Sequence, residues 1–367
     1  SGAVTYGHRF QAPQAIRLTS ASPDAYLAAL RQSYVLVDPE ERRRVLRNQL
    51  AAAAASVGGT IVPNPELEEE NVFLVENPNL TLGSFETRFL SLPDEVLITS
   101  MREHQRYFSL RGPDGKLLPY FIAVNNTLAK DPKVVQQGHE RVLRARLSDA
   151  MFFFEEDRKV PLDQWVEELK GVVYHSQLGT SYEKMERFRA LADYLAARLL
   201  PEKKEKVHRA ATLCKADLVS GMVGEFASLQ GIMGREYARL AGEDTEVAEA
   251  IYEHYLPRHA GDQLPRGEVG AIVGLADRLD TICGCFGVGL IPSGTADPYG
   301  LRRQALAIIN IILDKGFHLD LGEAVAYSLR LLAAKLTEPA DKTKAEVLEF
   351  FRTRLHHLLT GENYSFE

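Results

Sequence analysis

The stretch that decides the fold class is Gly138-His139-Glu140-Arg141-Val142-Leu143-Arg144-Ala145-Arg146-Leu147-Ser148-Asp149-Ala150-Met151-Phe152-Phe153-Phe154. Its apolar residues Leu143, Leu147, Ala150, Met151 and Phe154 recur at the spacing of one helix face, which predicts a buried helical stripe. Before this stretch, short β-rich runs alternate with turn residues, and after it the pattern is helical almost throughout. The sequence therefore predicts an α+β fold, with a strand-rich part followed by an all-helical part.

Four runs before the helical stripe are rich in β-branched and aromatic residues and are predicted as strands, at residues 72–75, 95–98, 107–110 and 120–124. Pro113-Asp114-Gly115 is typical of a hairpin turn and is predicted to join the last two runs. Two helices are predicted before the strands, at residues 22–34 and 39–55. The second has Asp38 as its cap and Pro39 at its first position.

The helical part carries three further apolar stripes and a C-terminal helix pattern at residues 345–359. The stripes consist of Ala211, Cys214, Leu218 and Met222; of Ile272, Leu275, Ala276, Leu279, Ile282, Cys283 and Phe286; and of Leu301, Ala305, Ile308, Ile309 and Ile312. From these changes of pattern we predict a strand-rich domain at 1–165, a helical domain at 166–313, and a helical segment at 314–367 that begins a truncated further domain.

The composition of the 367 residues is that of an ordinary soluble protein, with 45% apolar and 25% charged residues. A net charge of −7, from 43 Lys and Arg against 50 Asp and Glu, excludes a generally basic nucleic-acid coat but not a local basic patch. No apolar run approaches the roughly 20 residues of a membrane helix. The start Ser1-Gly2-Ala3 carries no secretory signal and suggests an excised fragment. Three cysteines are too few for a disulfide framework, so we expect structural free thiols and a cytoplasmic location.

Residues 101–108 combine two guanidinium groups with polar and aromatic side chains that suit RNA. Arg102 and Arg106 can bind phosphate bidentately, and His104, Gln105 and Tyr107 can contact bases or sugars. The alternative is a salt-bridged helix start beside strands, which composition alone favours.

Residues 138–147 place Arg141 and Arg144 on a helix face distinct from the apolar stripe, with Arg146 nearby. Between residues 101 and 159 there are 11 Lys and Arg against 8 Asp and Glu, a local excess of positive charge that suits contacts to an RNA backbone. Pairing with carboxylates within the helix is an equally good interpretation. The carboxylates available for such pairing are Glu140, Asp149, Glu155 and Glu156.

A third pair of arginines, Arg302 and Arg303, follows Asp297-Pro298, which is predicted to cap and start a helix. Two cations so near a helix N-terminus oppose the helix dipole. We therefore expect a nearby anionic partner, a carboxylate or a phosphate, with the carboxylate favoured.

The helical part contains residues that suggest a metallophosphohydrolase site of the HD type. The candidate ligand positions are His175, His208, Asp217, His254 and Asp277. No adjacent His-Asp pair occurs in the chain, and Lys215-Ala216 stands where that superfamily has the pair. An ammonium at a ligand position repels a dication, so we predict a degenerate site that binds no metal. The sequence also lacks a phosphate-binding glycine loop and a nucleophile elbow, so we predict no catalytic residue and no ATP site in this chain.

Taken in chain order, these segments resemble the β subunit of the bacterial, two-subunit type of glycyl-tRNA synthetase. The matching residues are 6–10, 92–97, 101–108, 138–149, 152–153, 178–180, 215–218, 224–226, 230–234, 253–258, 276–280, 292–298 and 301–303. Two positions depart from the pattern: His139, where the family usually has Asn, and Gly300, where it usually has Ala. The resemblance spans the chain but implies a fragment that lacks the N-terminal portion and the C-terminal anticodon-binding domain.

The resemblance implies a B3/B4-like fold for the strand-rich half and a degenerate HD-like fold for the helical half. It implies a glycine–tRNA ligase that forms an α2β2 heterotetramer, in which ATP and Mg²⁺ act on the α subunit and the chain itself needs no cofactor. This chain would bind tRNA(Gly), position its acceptor arm and support assembly. A metal-dependent phosphohydrolase or an editing hydrolase is the alternative, and a purely structural module is another. The tRNA interpretation requires that the guanidinium groups are not neutralised by internal carboxylates.

Overall fold

The computed structural model describes residues 3–20 and 22–361, and the chain divides into two compact units, Ser1–Phe154 and Glu155–Glu367. Helices occur together with small antiparallel sheets, which confirms the predicted α+β class. The finer division into three domains stays a prediction. Residues 362–367 of the predicted C-terminal segment lie outside the described residues.

The first unit combines two antiparallel sheets with helices. Its elements are β1 (Val4–Tyr6), β2 (Ala15–Arg17), α1 (Pro23–Gln32), α2 (Pro39–Ser56), β3 (Thr60–Ile61), α3 (Pro65–Leu74), β4 (Asn79–Ser84), α4 (Asp94–Gln105), β5 (Phe108–Arg111), β6 (Leu117–Asn125) and α5 (Pro132–Asp157), whose last residues belong to the second unit. Strands β1 and β2 pair with each other, and the other four form a sheet in the order β3-β5-β6-β4. A core cluster joins α2 and α3 to this sheet through Leu46, Leu50, Leu67, Phe108 and Ile122.

Several local predictions for the first unit are confirmed. Helices α1 and α2 lie where they were expected, and the Asp38 carboxylate accepts a hydrogen bond from the backbone N of Glu40 at 2.9 Å. Strands β5 and β6 form the predicted hairpin. In its turn, Gly115 has a φ of 78°, a conformation that glycine adopts without strain.

Two predicted strands are wrong, because residues 72–75 and 95–98 fall mainly in α3 and in α4. Short apolar runs fit a strand and one face of a helix equally well. The start signals decide between them: the Asn64 side chain accepts a hydrogen bond from Leu67 N, with Pro65 at the first helical position. Helix α4 likewise begins after Pro93 and has two acidic residues in its first turn. Negative side chains there stabilise a helix because its N-terminal end carries the positive end of the dipole.

The second unit is almost entirely helical and is built around one buried helix. Its elements are α6 (Leu162–Glu168), β7 (Val173–His175), β8 (Gly179–Thr180), α7 (Ser181–Leu199), α8 (Lys204–Leu213), α9 (Gly221–Glu225), α10 (Ile232–Leu240), α11 (Thr245–Glu253), α12 (Glu268–Gly287), α13 (Leu301–Lys315), α14 (Leu321–Leu331) and α15 (Ala340–Gly361). Helix α12 is buried over nearly its whole length and contacts α7, α8, α11, α13, α14 and α15. The polar groups that α12 carries are therefore held in the interior.

Two helix predictions for the second unit need correction. The stripe from Ala211 to Met222 is not one helix, because α8 ends at Leu213 and a 3-10 turn, Ala216–Val219, precedes α9. The break lets the Asp217 side chain meet backbone N–H groups elsewhere in the unit. Helix α13 begins at Leu301, three residues later than expected, although the Asp297 carboxylate still accepts a hydrogen bond from Leu301 N at 2.8 Å.

The state of the three cysteines and the hydropathy of the helices were both predicted from the composition. Cys214, Cys283 and Cys285 are free and buried, as predicted for structural thiols. Burial raises the pKa of Cys285 to about 11, so this thiol is protonated at neutral pH. Within residues 3–20 and 22–361, no helix is both long and apolar enough to cross a membrane.

Candidate functional site

The guanidinium groups of residues 101–108 lie among carboxylates at the C-terminal end of α4. Arg102 pairs with Glu103 at 2.9 Å, and Arg106 pairs with Glu70. Both pairs are solvent-exposed, and they border a shallow depression that Glu66 also lines. Arg102 and Arg106 are thus paired in the way that the salt-bridged alternative predicts, although both pairs are open to solvent.

The remaining candidates of this segment differ in accessibility. His104 is exposed and Gln105 is half-buried, whereas Tyr107 is only 4% exposed. The Tyr107 ring stacks on Phe121, and its hydroxyl lies 2.7 Å from Nδ1 of His139. Burial raises the pKa of Tyr107 to about 12. This placement gives Tyr107 a supporting role beneath the surface rather than a direct contact with RNA.

The arginines of α5 lie at the surface and include an unpaired group. The Arg141 side chain is exposed, lines a surface cavity of about 410 Å³ together with Arg144, and makes no hydrogen bond or ion pair with any described residue. Arg144 pairs with Glu86 at 2.6 Å, and Arg146 is half-buried. The predicted alternative, neutralisation of Arg141 within the helix, does not occur.

Glu140 explains why Arg141 stays unpaired. Its carboxylate accepts hydrogen bonds from Ser84 N at 3.0 Å and from the Gln136 side chain at 2.9 Å. Burial opposes ionisation of Glu140, but the hydrogen bonds from Gln136 and Ser84 outweigh it and lower the pKa of this carboxyl group. Glu140, the acidic residue next to Arg141 in the sequence, is thus bound to the end of β4 and not to Arg141.

The two arginines of α13 lack the carboxylate partner that was expected. The Arg302 guanidinium donates to the carbonyl oxygens of Gly294 and Ala296, at 2.9 Å and 3.4 Å. Arg303 is exposed and makes no hydrogen bond or ion pair with the part of the chain that the structure describes. The favoured carboxylate partner is therefore not found among the described residues, the phosphate alternative stays a prediction, and Arg303 is available to an external anion.

The HD-type positions are the five candidate ligands and Lys215, which stands in place of the missing pair. Three of these six meet in the interior of the second unit. The Lys215 ammonium lies 2.8 Å from Oδ2 of Asp277 and 2.9 Å from Nε2 of His254. A second ammonium, that of Lys184, lies 2.7 Å from Oδ1 of Asp277 and donates to Thr281 Oγ1 at 2.8 Å. We call Lys184, Lys215, His254 and Asp277 the buried charge cluster.

The protonation states of the buried charge cluster follow from its contacts. Burial opposes ionisation of Asp277, but the ammonium groups of Lys184 and Lys215 hold the pKa of its carboxyl group well below the usual range. Burial and the Lys215 charge keep the pKa of His254 well below 6.5, so its ring is neutral at pH 7. Nδ1 of His254 lies 2.7 Å from the carbonyl oxygen of Ile251, so Nδ1 carries the proton and Nε2 accepts from Lys215.

The other three HD-type positions make their hydrogen bonds outside the cluster. The Asp217 carboxylate is buried and accepts hydrogen bonds from Gly231 N and Gly234 N, and burial raises its pKa to about 6. His175 Nε2 lies 3.2 Å from the hydroxyl of Tyr299. His208 pairs with Asp193 on the surface at 2.9 Å.

The buried charge cluster does not fit a divalent metal ion. The Lys215 ammonium occupies the position between His254 and Asp277, and a second ammonium holds the remaining oxygen of Asp277. A dication there would face two positive charges at close range. Within the described residues, no group of three His, Cys, Asp or Glu side chains could hold a metal ion.

Sequence reasoning missed Lys184 and its neighbour Arg187. Both lie on the apolar face of α7 beside Phe188, and the Arg187 guanidinium contacts both oxygens of Asp280, at 2.8 Å and 3.1 Å. Cations on an apolar helix face are seldom buried without partners. The position of these two cations on the apolar face was the available signal that they have buried partners, but it does not identify the partners.

The whole chain matches the sequence model of the family described as glycyl-tRNA synthetase beta subunit, over residues 1–367. It is 59% identical over 365 residues to the glycine–tRNA ligase beta subunit of Geobacter metallireducens, a match that covers 100% of this chain and 53% of that protein. The identity to the protein of the same name from Geobacter sulfurreducens is 58% over 359 residues, covering 98% of this chain and 52% of the relative. The identity to the protein of the same name from Syntrophus aciditrophicus is 54% over 364 residues, covering 99% of this chain and 52% of the relative. The chain thus spans about half the length of the curated relatives it matches.

Proposed function

The chain belongs to the glycyl-tRNA synthetase beta subunit family, and on that basis we propose that it binds tRNA(Gly) and supports assembly of glycine–tRNA ligase with a separate α subunit. In this proposal the chain holds the acceptor arm through contacts between arginines and phosphates, within an α2β2 heterotetramer in the cytoplasm. ATP and Mg²⁺ belong to the α subunit, and this agrees with the lack of an ATP-site motif in the sequence of this chain. Positioning of tRNA aids the reaction because it replaces a bimolecular encounter with an oriented complex.

The observation that carries the proposal is the exposed guanidinium of Arg141 on α5. It lies beside Arg144 at a surface cavity and has no partner among the described residues. A planar guanidinium with all of its donors free matches the geometry of a phosphate group. Contacts of this kind fix the position of a nucleic acid without reading its sequence.

The paired arginines remain usable in this proposal because their pairs are exposed. In the pair of Arg144 with Glu86, the two side chains are 56% and 39% exposed. Such surface pairs contribute about 0–1 kcal/mol. A phosphate group can therefore displace Glu86 from Arg144 at small cost, and the same holds for Arg102 and Arg106.

The finer fold assignments also belong to this proposal. We infer a B3/B4-like fold for the strand-rich part and a degenerate HD-like fold for the helical part, from the resemblance of the sequence to the family. The cluster around Asp277 supports the second inference, since a Lys, a His and an Asp from three separate segments converge there. The same cluster disfavours the alternative of an active metal-dependent phosphohydrolase.

Exchange of Arg141→Glu together with Arg144→Glu tests the proposal. We expect the affinity for tRNA(Gly) to fall by about tenfold or more at low salt, because repulsion replaces the attraction of two phosphate groups. The dependence of log affinity on log salt concentration should become shallower by about 0.9 for each phosphate group that the chain no longer neutralises. Fluorescence anisotropy with labelled tRNA over a salt series measures both quantities.

The matched control is Arg31→Glu together with Arg47→Glu. These arginines lie in the same unit and are exposed, and each pairs with a glutamate as Arg144 does. Two Arg→Glu exchanges also change the net charge by the same amount as in the test variant. The control should change the affinity much less than the test variant. Equal affinities of the test variant and the unaltered chain would contradict the proposal and favour a purely structural module.

A further inference from the structure

A cavity of about 470 Å³ in the second unit opens beside the buried charge cluster. Residues of α7, α12 and α13 and of the segment after α11 line it. We call it the basic cavity, after the cations in its lining: Lys184, Lys215, Arg258, Arg278 and Arg303. Its size lies within the range of about 300–1,000 Å³ that is typical of small-molecule sites.

The charge of this lining is strongly unbalanced. Asp277 is the one carboxylate among the described residues that line the cavity, and it is already shared by the ammonium groups of Lys184 and Lys215. The Arg278 guanidinium is buried and donates to backbone carbonyl oxygens, including those of His254 and Leu256 at 2.8 Å each. Arg278 therefore keeps its positive charge without a carboxylate partner. Low-dielectric walls concentrate such a field and favour an anion inside the cavity.

Two further guanidinium groups line the cavity from exposed positions. Arg258 donates to the carbonyl oxygen of Gln230 at 3.1 Å and has no carboxylate partner among the described residues for its side chain. Arg303 makes no hydrogen bond or ion pair with a described residue. Together they offer free N–H donors in the fork geometry that binds phosphate oxygens.

Aromatic rings complete the lining. Tyr174, Tyr255 and Tyr299 all face the cavity. Lys184 lies over the ring of Tyr174 and Lys215 lies over that of Tyr255, at 4.8 Å and 4.0 Å from the ring centres. Tyr299 is 41% exposed, so its ring is accessible to a planar group.

We propose that the basic cavity binds the phosphate group of a nucleotide, with Arg258 and Arg303 holding the phosphate and Tyr299 stacking on the base. Binding without hydrolysis is what this site supports, because ammonium groups stand where a catalytic metal would have to be coordinated. The phosphate could belong to a free nucleoside monophosphate or to the end of an RNA chain, and the chemistry of recognition is the same. The inference rests on the second unit alone and does not require the arginines of α5.

Isothermal titration calorimetry with AMP, inorganic phosphate and adenosine tests the site. We expect AMP to bind more tightly than phosphate, and adenosine to bind at least about tenfold more weakly than AMP because it lacks the charge. Arg258→Gln together with Arg303→Gln should weaken AMP binding by about tenfold or more. The matched control, Arg198→Gln with Arg352→Gln, removes two exposed guanidinium groups that do not line the cavity, and it should bind AMP as the unaltered chain does.

The outcomes separate this inference from the proposed function. AMP binding that survives in the Arg141→Glu, Arg144→Glu variant supports a site independent of the α5 surface. Displacement of AMP by tRNA identifies an RNA end as the source of the phosphate, and lack of displacement identifies a free nucleotide. No AMP binding at millimolar concentration, or equal binding by the Arg258→Gln, Arg303→Gln variant, overturns the inference.

Discussion

Arg144 in the first unit and Lys215 in the second each lie within hydrogen-bond distance of a carboxylate, but the two pairs have opposite consequences. The pair of Arg144 with Glu86 spans 2.6 Å and is open to solvent. The pair of Lys215 with Asp277 spans 2.8 Å, with side chains only 11% and 14% exposed. Water can replace either partner in the first pair, whereas the second pair is largely shielded from solvent, so a charge left alone there is poorly stabilised.

The comparison shows how the same residue types acquire different roles. On α5 the guanidinium group of Arg144 is available to a polyanion because its carboxylate partner holds it weakly, and that of Arg141 has no partner among the described residues. In the buried charge cluster the ammonium groups are structural because Asp277 and His254 depend on them. Burial, rather than the identity of the charged residues, decides which cations can meet a ligand.

The largest expected effect is the loss of stability on Asp277→Asn. This change leaves Lys184 and Lys215 buried without the carboxylate that they share. Removal of one partner from a buried ion pair typically costs about 3–5 kcal/mol. We expect the free energy of unfolding, measured by urea titration, to fall by that amount.

The same substitution at a solvent-exposed pair provides the control. Asp163 pairs with Arg209 in the same unit but is 69% exposed, and Arg209 also pairs with Glu243. Asp163→Asn should lower the free energy of unfolding by no more than about 1 kcal/mol. Similar losses for Asp277→Asn and Asp163→Asn would remove the distinction between buried and exposed pairs on which the comparison depends.

A smaller effect is expected when the competing carboxylate of an exposed pair is removed. Glu86→Gln removes the carboxylate that pairs with Arg144, so under the proposed function tRNA no longer has to displace it. We expect the affinity for tRNA(Gly) to rise about 1.4-fold to fivefold, which corresponds to the roughly 0.2–1 kcal/mol of a surface pair. Glu41→Gln, which frees Arg31 in the same unit, controls for the change in net charge. An equal rise in both variants would show a general charge effect and not an exchange at Arg144.

The parts of the fold that the sequence predicted correctly are those with long or strongly marked local patterns. The helix with Asp38 and Pro39 at its start and the hairpin around Gly115 lie where the pattern put them. Residues 72–75 and 95–98 are predicted as strands because a run of four residues is too short to define a period. The capping side chain of Asn64 was the local signal that favoured helix there.

The candidate site was only partly predictable, because pairing across the fold does not leave a local pattern. Lys215, His254 and Asp277 were all named from the sequence as HD-type positions, and the three side chains converge in the structure. Nothing near Lys184 in the sequence indicates that it holds the other oxygen of Asp277, since 93 residues separate the two. The partners of Arg106 and Arg144 are also distant in sequence, at Glu70 and Glu86.

A contact between residues 107 and 139, which lie in two of the segments proposed to contact RNA, gives an expected effect that depends on pH. His139 of α5 accepts a hydrogen bond from the Tyr107 hydroxyl at Nδ1 and donates from Nε2 to Oδ1 of Asn125 at 3.0 Å. Burial lowers the pKa of His139 below 6.5, so its ring is neutral in the folded state. Protonation of Nδ1 would remove the acceptor for Tyr107.

His139→Asn tests this contact through the pH dependence of stability. The pKa of His139 is lower in the folded than in the unfolded chain, so the unfolded chain binds more protons as pH falls below 6.5. The stability that the neutral ring contributes is therefore lost as pH falls through this range. At pH 7 the substitution should lower the free energy of unfolding by about 1 kcal/mol, because the Tyr107 hydroxyl loses its partner. The deficit should shrink as pH falls from 7 towards 5, because His139→Asn removes the group whose protonation destabilises the folded chain. A deficit that stays constant over this pH range would mean that folding does not shift the pKa of His139. The contact between Tyr107 and His139 would then not make stability depend on pH.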